Sequence, residues 1–142
     1  MSSFTENPIV SPLKNGEKWV VRKEFFYDVG FEGSKDTIVV PSGFVTDFAS
    51  VPRVLWSIFP KWGVYGPASI IHDYLYFSHE KTREEADYIF YEGMLVLGIK
   101  KWKAKILYNA VKIFGKDNYK KSKSYMIEML NEKIEISKME KL

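Results

Sequence analysis

The order of apolar and polar residues divides the chain in two. From Trp19 to Val40 the apolar positions come in short β-branched and aromatic runs: Trp19-Val20-Val21, Phe25-Phe26-Tyr27 and Thr37-Ile38-Val39-Val40. Turn residues separate them, with Gly30 to Asp36 joining the last two runs and Pro41-Ser42-Gly43 ending the third. Such runs bounded by glycine, proline and aspartate predict strands of a small antiparallel sheet. The segment Gly43 to Arg53 begins with alternation and stops at Pro52.

From Gly66-Pro67 the spacing becomes helical, and proline suits the first helical position. This first helix is expected to reach about Phe77. A second starts at the capping box Thr82-Arg83-Glu84-Glu85, in which Glu85 reaches back to the Thr82 cap. Its apolar positions Ala86, Ile89, Phe90, Gly93, Met94 and Leu97 form one stripe, and Gly98 closes it. A third helix, about Lys101 to Phe114, is expected to bury Trp102, Ile106, Ala110, Ile113 and Phe114 and to end at Gly115. A weaker amphipathic helix follows from Lys121 to about Lys138, using Tyr125, Met126, Met129, Leu130 and Ile134. The fold class is therefore α+β: a small N-terminal antiparallel sheet, then three to four helices.

A length of 142 residues, 46% hydrophobic, suits one domain with a full core. The chain has no cysteine, which excludes disulfides, thiolate metal sites and a cysteine nucleophile. No apolar run approaches the ~18 to 20 residues of a membrane span. The opening Met1-Ser2-Ser3-Phe4-Thr5-Glu6 lacks a signal-peptide pattern, so cytoplasmic synthesis and soluble folding are expected. The net charge of +3 is uneven, since Lys100 to Lys123 holds nine lysines against Asp117 alone. That stretch can attract a phosphate-bearing ligand, or it can be the solvated face of a helix.

Candidate chemistry centres on the first helix. At 100° per residue Ser69, His72, Asp73 and Tyr76 share one face, with Ile70, Ile71, Tyr74 and Leu75 on the other. A solvated face would carry lysine or glutamate, and this helix has neither. Arg83 and Asp87 lie four apart on the second helix, and a short connection implies an antiparallel pair that brings them near His72 and Asp73. Asp47, with Thr46 and Ser50, would join from the preceding loop. His72, Asp73 and Asp47 are the candidate catalytic groups, with Tyr76, Arg83, Asp87, Ser69, Thr46 and Ser50 supporting them. A histidine oriented by an aspartate is a general base. Asp73, Asp87 and Asp47 can instead hold calcium or magnesium, or with His72 zinc or manganese. A buried polar network that fixes packing is the third option. His79 is expected to be an exposed bystander. The aromatic stretch Trp56 to Gly66 forms either core or an apolar lip beside the polar stripe.

Three ordered motifs carry a resemblance: Gly-Phe-x-Thr-Asp-x-Ala-Ser-x-Pro (Gly43 to Pro52), Ala-x-x-x-His-Asp-x-Leu-Tyr (Ala68 to Tyr76) and Arg-x-x-Ala-Asp (Arg83 to Asp87). The chain resembles a family of uncharacterised phage and prophage proteins over about residues 17 to 115, with the lysine-rich end from 116 to 142 outside it. The resemblance implies viral or prophage origin and a single small domain, and no particular reaction. Locally, His72-Asp73-x-x-Tyr76 is similar to the active-site helix of secreted phospholipases of the A-two type. That likeness implies His72 as base, Asp73 as calcium ligand and Asp87 as supporting carboxylate. The cysteines and the glycine-rich calcium loop of those enzymes are missing here.

Three functions follow as expectations. One is a phage-encoded hydrolase, His/Asp-dependent or metal-assisted, acting on an ester, a phosphodiester or a cell-wall bond. Another is a non-catalytic module that sequesters a nucleotide or a host protein during infection. The third is a virion or assembly component whose C-terminal helix docks on a neighbour or a second copy. Each places the protein in the infected host's cytoplasm or in the virion.

Overall fold

A computed structural model describes residues 2–4, 7–13, 18–46, 65–116, 119 and 138–139. The strands are β1 (Ser3–Phe4), β2 (Val10–Pro12), β3 (Trp19–Val21), β4 (Phe25–Asp28), β5 (Thr37–Val40) and β6 (Val45–Thr46). Three helices follow: α1 (Gly66–Ser78), α2 (Arg83–Val96) and α3 (Lys101–Phe114). The α+β class is as the sequence indicates, strands first and helices after.

The strands form two antiparallel sheets, ordered β1-β4-β5 and β2-β3-β6, where the sequence suggests one. The β4–β5 hairpin keeps the expected turn, with Asp28 opposite Thr37. Asp28 holds that turn through its carboxylate, which accepts from the Gly33 N–H at 2.9 Å and the Thr37 hydroxyl at 2.7 Å. Gly30 and Gly33 both take positive φ there, the conformation that suits glycine. β1 and β2 escape a pattern search because two- and three-residue strands carry no period to read.

α1 packs on α2, α2 packs on α3, and α1 also lies against β5 and β6. Two apolar clusters result. One joins the strand residues Val21, Phe25, Tyr27, Ile38 and Val40, and Phe44 just before β6, to Ile70, Ile71 and Leu75 of α1. The other lies between the helices and contains Tyr65, Ala68, Phe90, Met94, Ala104, Leu107 and Val111. Where α1 and α2 pack at Gly93, an added Cβ would stand 3.3 Å from the Ala68 Cβ and 3.4 Å from the Phe4 ring. This position tolerates little beyond glycine.

The helix ends follow their local chemistry. Pro67 opens α1, and His79 closes it in the left-handed region (φ 56°) with its N–H on the Leu75 carbonyl. The Thr82 hydroxyl caps α2 by accepting from the Glu85 N–H at 3.2 Å. The same hydroxyl donates to the Glu85 carboxylate at 3.0 Å.

α3 is rotated from its expected setting. It buries Ala104, Leu107, Ala110 and Val111, whereas Trp102, Ile106, Ile113 and Phe114 are 41 to 70% exposed. Of the expected set only Ala110 is inside. The small residues Ala104 and Ala110 let α3 come close to α2, so the inward side is set by fit rather than by the largest apolar residues. The lysine-rich helix expected from Lys121 to Lys138 falls almost wholly outside the described residues.

Candidate functional site at the α1–α2 contact

The polar residues of α1 do not line a solvated groove. Ser69, His72 and Tyr76 are buried, as are Ile70, Ile71 and Leu75 opposite them, because α1 is covered on one side by strands and on the other by α2. His72 stands between aromatic rings, with the centroid of Tyr76 at 4.2 Å and that of Phe90 at 4.8 Å. Its Nε2 lies 2.8 Å from Oδ1 of Asp87, and both residues are 2% exposed. The Tyr76 hydroxyl donates to the same oxygen at 2.5 Å.

A carboxylate can only accept, so Nε2 carries the proton in this pair and Nδ1 is the basic nitrogen. Burial holds His72 below the ordinary 6.5, opposed by the bond to Asp87 and by its charge, and aided by the Arg83 charge. His72 is therefore neutral at pH 7. The Tyr76 hydroxyl is pushed well above its usual value by burial and by the neighbouring carboxylate. It stays a donor throughout the physiological range.

Arg83 completes the group from the other direction. Its Nε lies 4.0 Å from Oδ2 of Asp87. Its Nη2 donates to the Val111 carbonyl at 3.3 Å and also to that of Lys112. The guanidinium thus ties Asp87 to the negative end of α3. Asp73 serves another surface: it accepts from the Thr46 hydroxyl of β6. The nine-residue candidate set is therefore divided. Ser69, His72, Tyr76, Arg83 and Asp87 lie along the contact of α1 and α2, Asp73 and Thr46 form a second pair, and Asp47 and Ser50 lie outside the described residues.

This division bears on a metal. Oδ1 of Asp87 already takes two donors, and a guanidinium faces Oδ2. A cation there would have to displace Arg83. Among the described residues no three His, Asp or Glu side chains gather in a metal-binding group. The Ser69 hydroxyl and the Tyr65 hydroxyl are buried with no hydrogen-bond partner among the described residues. Burial raises Tyr65 to about 12. Tyr65 belongs to the aromatic stretch read as lip or core, and it is core; residues 56–64 lie outside the described residues.

Sequence reasoning missed two features. His79 is no bystander: its Nε2 lies 2.9 Å from the Tyr119 carbonyl, and the two rings stack at 4.0 Å. Glu92 of α2 accepts from the Tyr27 hydroxyl at 3.0 Å and from the Ser2 hydroxyl, which in turn accepts from the Gly30 N–H at 2.7 Å. Glu92 follows Tyr91 on a helix and carries no local pattern that marks it out.

The family model described as "Protein of unknown function (DUF1353)" matches residues 19–111. The chain belongs to that family. The matched span contains β3 to α2 and most of α3, hence His72, Asp73, Tyr76, Arg83 and Asp87. Among curated proteins, the chain is similar to the uncharacterized protein y4jT of Sinorhizobium fredii (strain NBRC 101917 / NGR234), 42% identical over 80 residues, or 55% of this chain and 24% of that one. It is also similar to the uncharacterized protein y4iH of the same organism, 37% identical over 89 residues, or 61% of this chain and 34% of that one. The chain thus spans about a quarter to a third of the length of these curated relatives. No solved structure matches it significantly.

Proposed function

We propose that this DUF1353 protein is a hydrolase in which His72 is the general base and Asp87 its orienting carboxylate. The observation that carries the reading is the 2.8 Å contact of Nε2 with Asp87 on an imidazole that burial keeps neutral. A base needs a fixed tautomer and a free-base form at working pH, and this pair supplies both. In the reaction, the α1–α2 contact opens to admit water and substrate, and the His72 imidazole takes a proton from water as its oxygen attacks an ester or phosphodiester centre. Asp87 stabilises the imidazolium that forms, and the proton then passes to the leaving alcohol. Tyr76 keeps the Asp87 oxygen in place. A divalent cation, calcium, magnesium or zinc, stays in the proposal on the sequence pattern alone, with Asp73 and Asp47 as its carboxylates, Asp47 lying outside the described residues. A phage or prophage origin, with residence in the infected cell or the virion, belongs to the same proposal and rests on the motif resemblance.

A second reading is favoured by the 2% exposure of both His72 and Asp87. In it the network fixes α1 on α2, and the protein works as a binding or assembly component. Generic chromogenic esters and phosphodiesters, assayed with wild type and His72→Gln alongside thermal melting and metal analysis, separate the two. Activity that falls more than about a hundredfold in His72→Gln at a retained melting temperature supports the base. A wild type inert on every substrate, with a variant that melts early, supports the structural network.

A further inference from the structure

Among the described residues, the outward face of α3 gathers several large exposed apolar side chains on one helix. Trp102, Ile106 and Ile113 lie within about 40° of one another on the helical wheel. They are 56, 41 and 70% exposed, with Phe114, 65% exposed, at the end of the helix. Asn109 extends this stripe on one side, and beside it Lys101, Lys105 and Lys112 form an exposed row along the same helix. Lys103 stands on the opposite flank, its Nζ 5.6 Å from the centre of the Trp102 ring. α3 contains no aspartate or glutamate. The face opposite this stripe is the one packed on α2, so the apolar side is turned away from the body of the protein.

Isolated exposed apolar residues are ordinary, but three in register on one helix, rimmed by like charges, are not. We propose that this face of α3 lies on an anionic lipid surface, with Trp102, Ile106 and Ile113 entering the headgroup boundary and the lysines contacting lipid phosphates. Charge selects this occupant. Two copies meeting through α3 would bring together two helices of +4 each with no acid to offset them. Lysines are point charges on long apolar stems and suit a diffuse anionic plane, whereas bidentate recognition of single phosphates favours arginine. The aliphatic Ile106 and Ile113 offer no stacking platform to nucleic acid but suit acyl chains. The inference is independent of the role given to His72.

The test is co-sedimentation of the full chain with phosphatidylcholine vesicles and with vesicles of phosphatidylcholine and phosphatidylglycerol in equal parts. The variants are Ile106→Ser/Ile113→Ser and Lys101→Glu/Lys105→Glu/Lys112→Glu. The expected result is binding to the anionic vesicles alone, weakened by salt, and reduced about tenfold or more in each variant. Both variants alter exposed side chains, so their melting temperatures should match wild type, and a melting check identifies any that do not. No binding to anionic vesicles at low salt overturns the proposal. So does equal binding by wild type and both variants. Dimerisation lost with Ile106→Ser/Ile113→Ser, or binding to single-stranded DNA in preference to vesicles, would assign the face to a different occupant and overturn it as well.

Discussion

The Tyr76 hydroxyl stands 2.5 Å from Oδ1 of Asp87, one turn along α1 from the His72 ring that reaches the same oxygen at 2.8 Å. One acceptor on α2 thus satisfies two donors of α1 in a region closed to water. Such an arrangement is asymmetric, because the acceptor matters to both partners and each donor matters only to itself. Asp87→Ala leaves two buried donors unpaired and should destabilise by roughly 3 to 5 kcal/mol, whereas Tyr76→Phe should cost about 1 kcal/mol. Urea denaturation of the two variants measures the difference, and equal losses would mean that the oxygen is not shared.

The imidazole also sets a pH dependence. In the folded protein burial lowers the His72 value below 6.5, so the unfolded chain takes up a proton first as pH falls. The unfolded state therefore binds more protons between 6.5 and the lower folded value, and stability drops across that window. Above 6.5 the histidine is neutral in both states and contributes no slope. Denaturation midpoints from pH 7.5 down to about 5 should fall in wild type and fall less in His72→Gln. The Asp28 carboxyl, held low by the Gly33 N–H and the Thr37 hydroxyl, adds a separate loss below its ordinary 3.8. A flat wild-type profile between pH 7.5 and 5 would contradict a neutral buried His72.

Gly115 carries a steric prediction. A Cβ there would sit 2.5 Å from the Tyr76 hydroxyl and 2.5 Å from the Val111 carbonyl oxygen. Gly115→Ala should lower stability by about 1 to 3 kcal/mol by pushing Tyr76 off Asp87. Its effect should shrink in a Tyr76→Phe background, where that oxygen is gone. Simple additivity in this double-mutant cycle would place the clash at the Val111 carbonyl instead.

Two surface interactions at neighbouring positions should differ. Thr82→Ala removes the cap of α2 and should cost about 1 kcal/mol. Lys81 bonds Asp36 at 2.9 Å, but Asp36 is half exposed, so Lys81→Ala should cost under about 1 kcal/mol and less in high salt. Melting temperatures in low and high salt distinguish the two; a larger loss at Lys81 would reverse the ranking.

Most of the helical half was legible in the sequence because its signals are local. Pro67, the Thr82 capping box, Gly98 and the stripe from Ala86 to Met94 each act within a few residues. The closeness of His72 to Asp87 was legible for a related reason, since a short connection forces α1 and α2 to pair. The setting of α3 was not legible. Trp102, Ile106 and Ile113 form a good apolar stripe, but so do Ala104, Leu107 and Val111, and only packing against α2 decides which one turns inward. The separation of Asp73 from Asp87 was hidden likewise. Adjacent residues on a wheel share a face, yet α1 is covered from two sides, and the boundary between those sides falls between His72 and Asp73. The role of Glu92 depends on Ser2, ninety positions away, and no window along the chain connects them.

The stretch shared with the family, residues 19–111, is bracketed by two aromatic clasps that lie beyond it. At one end Phe4 stacks on Phe25 at 5.6 Å and abuts Gly93; at the other Tyr119 stacks on His79 and meets the Tyr76 ring edge-on at 5.3 Å. The two clasps grip α1 near opposite ends, Phe4 beside the turn that holds Ala68 and Tyr119 over the His79 cap. The portion matched by the family and the portion packed around α1 are therefore different lengths of chain. Excising 19–111 would strip both clasps and leave α1 held by its neighbours' side walls alone. A transplant of this unit into a longer protein should carry its flanking aromatics with it.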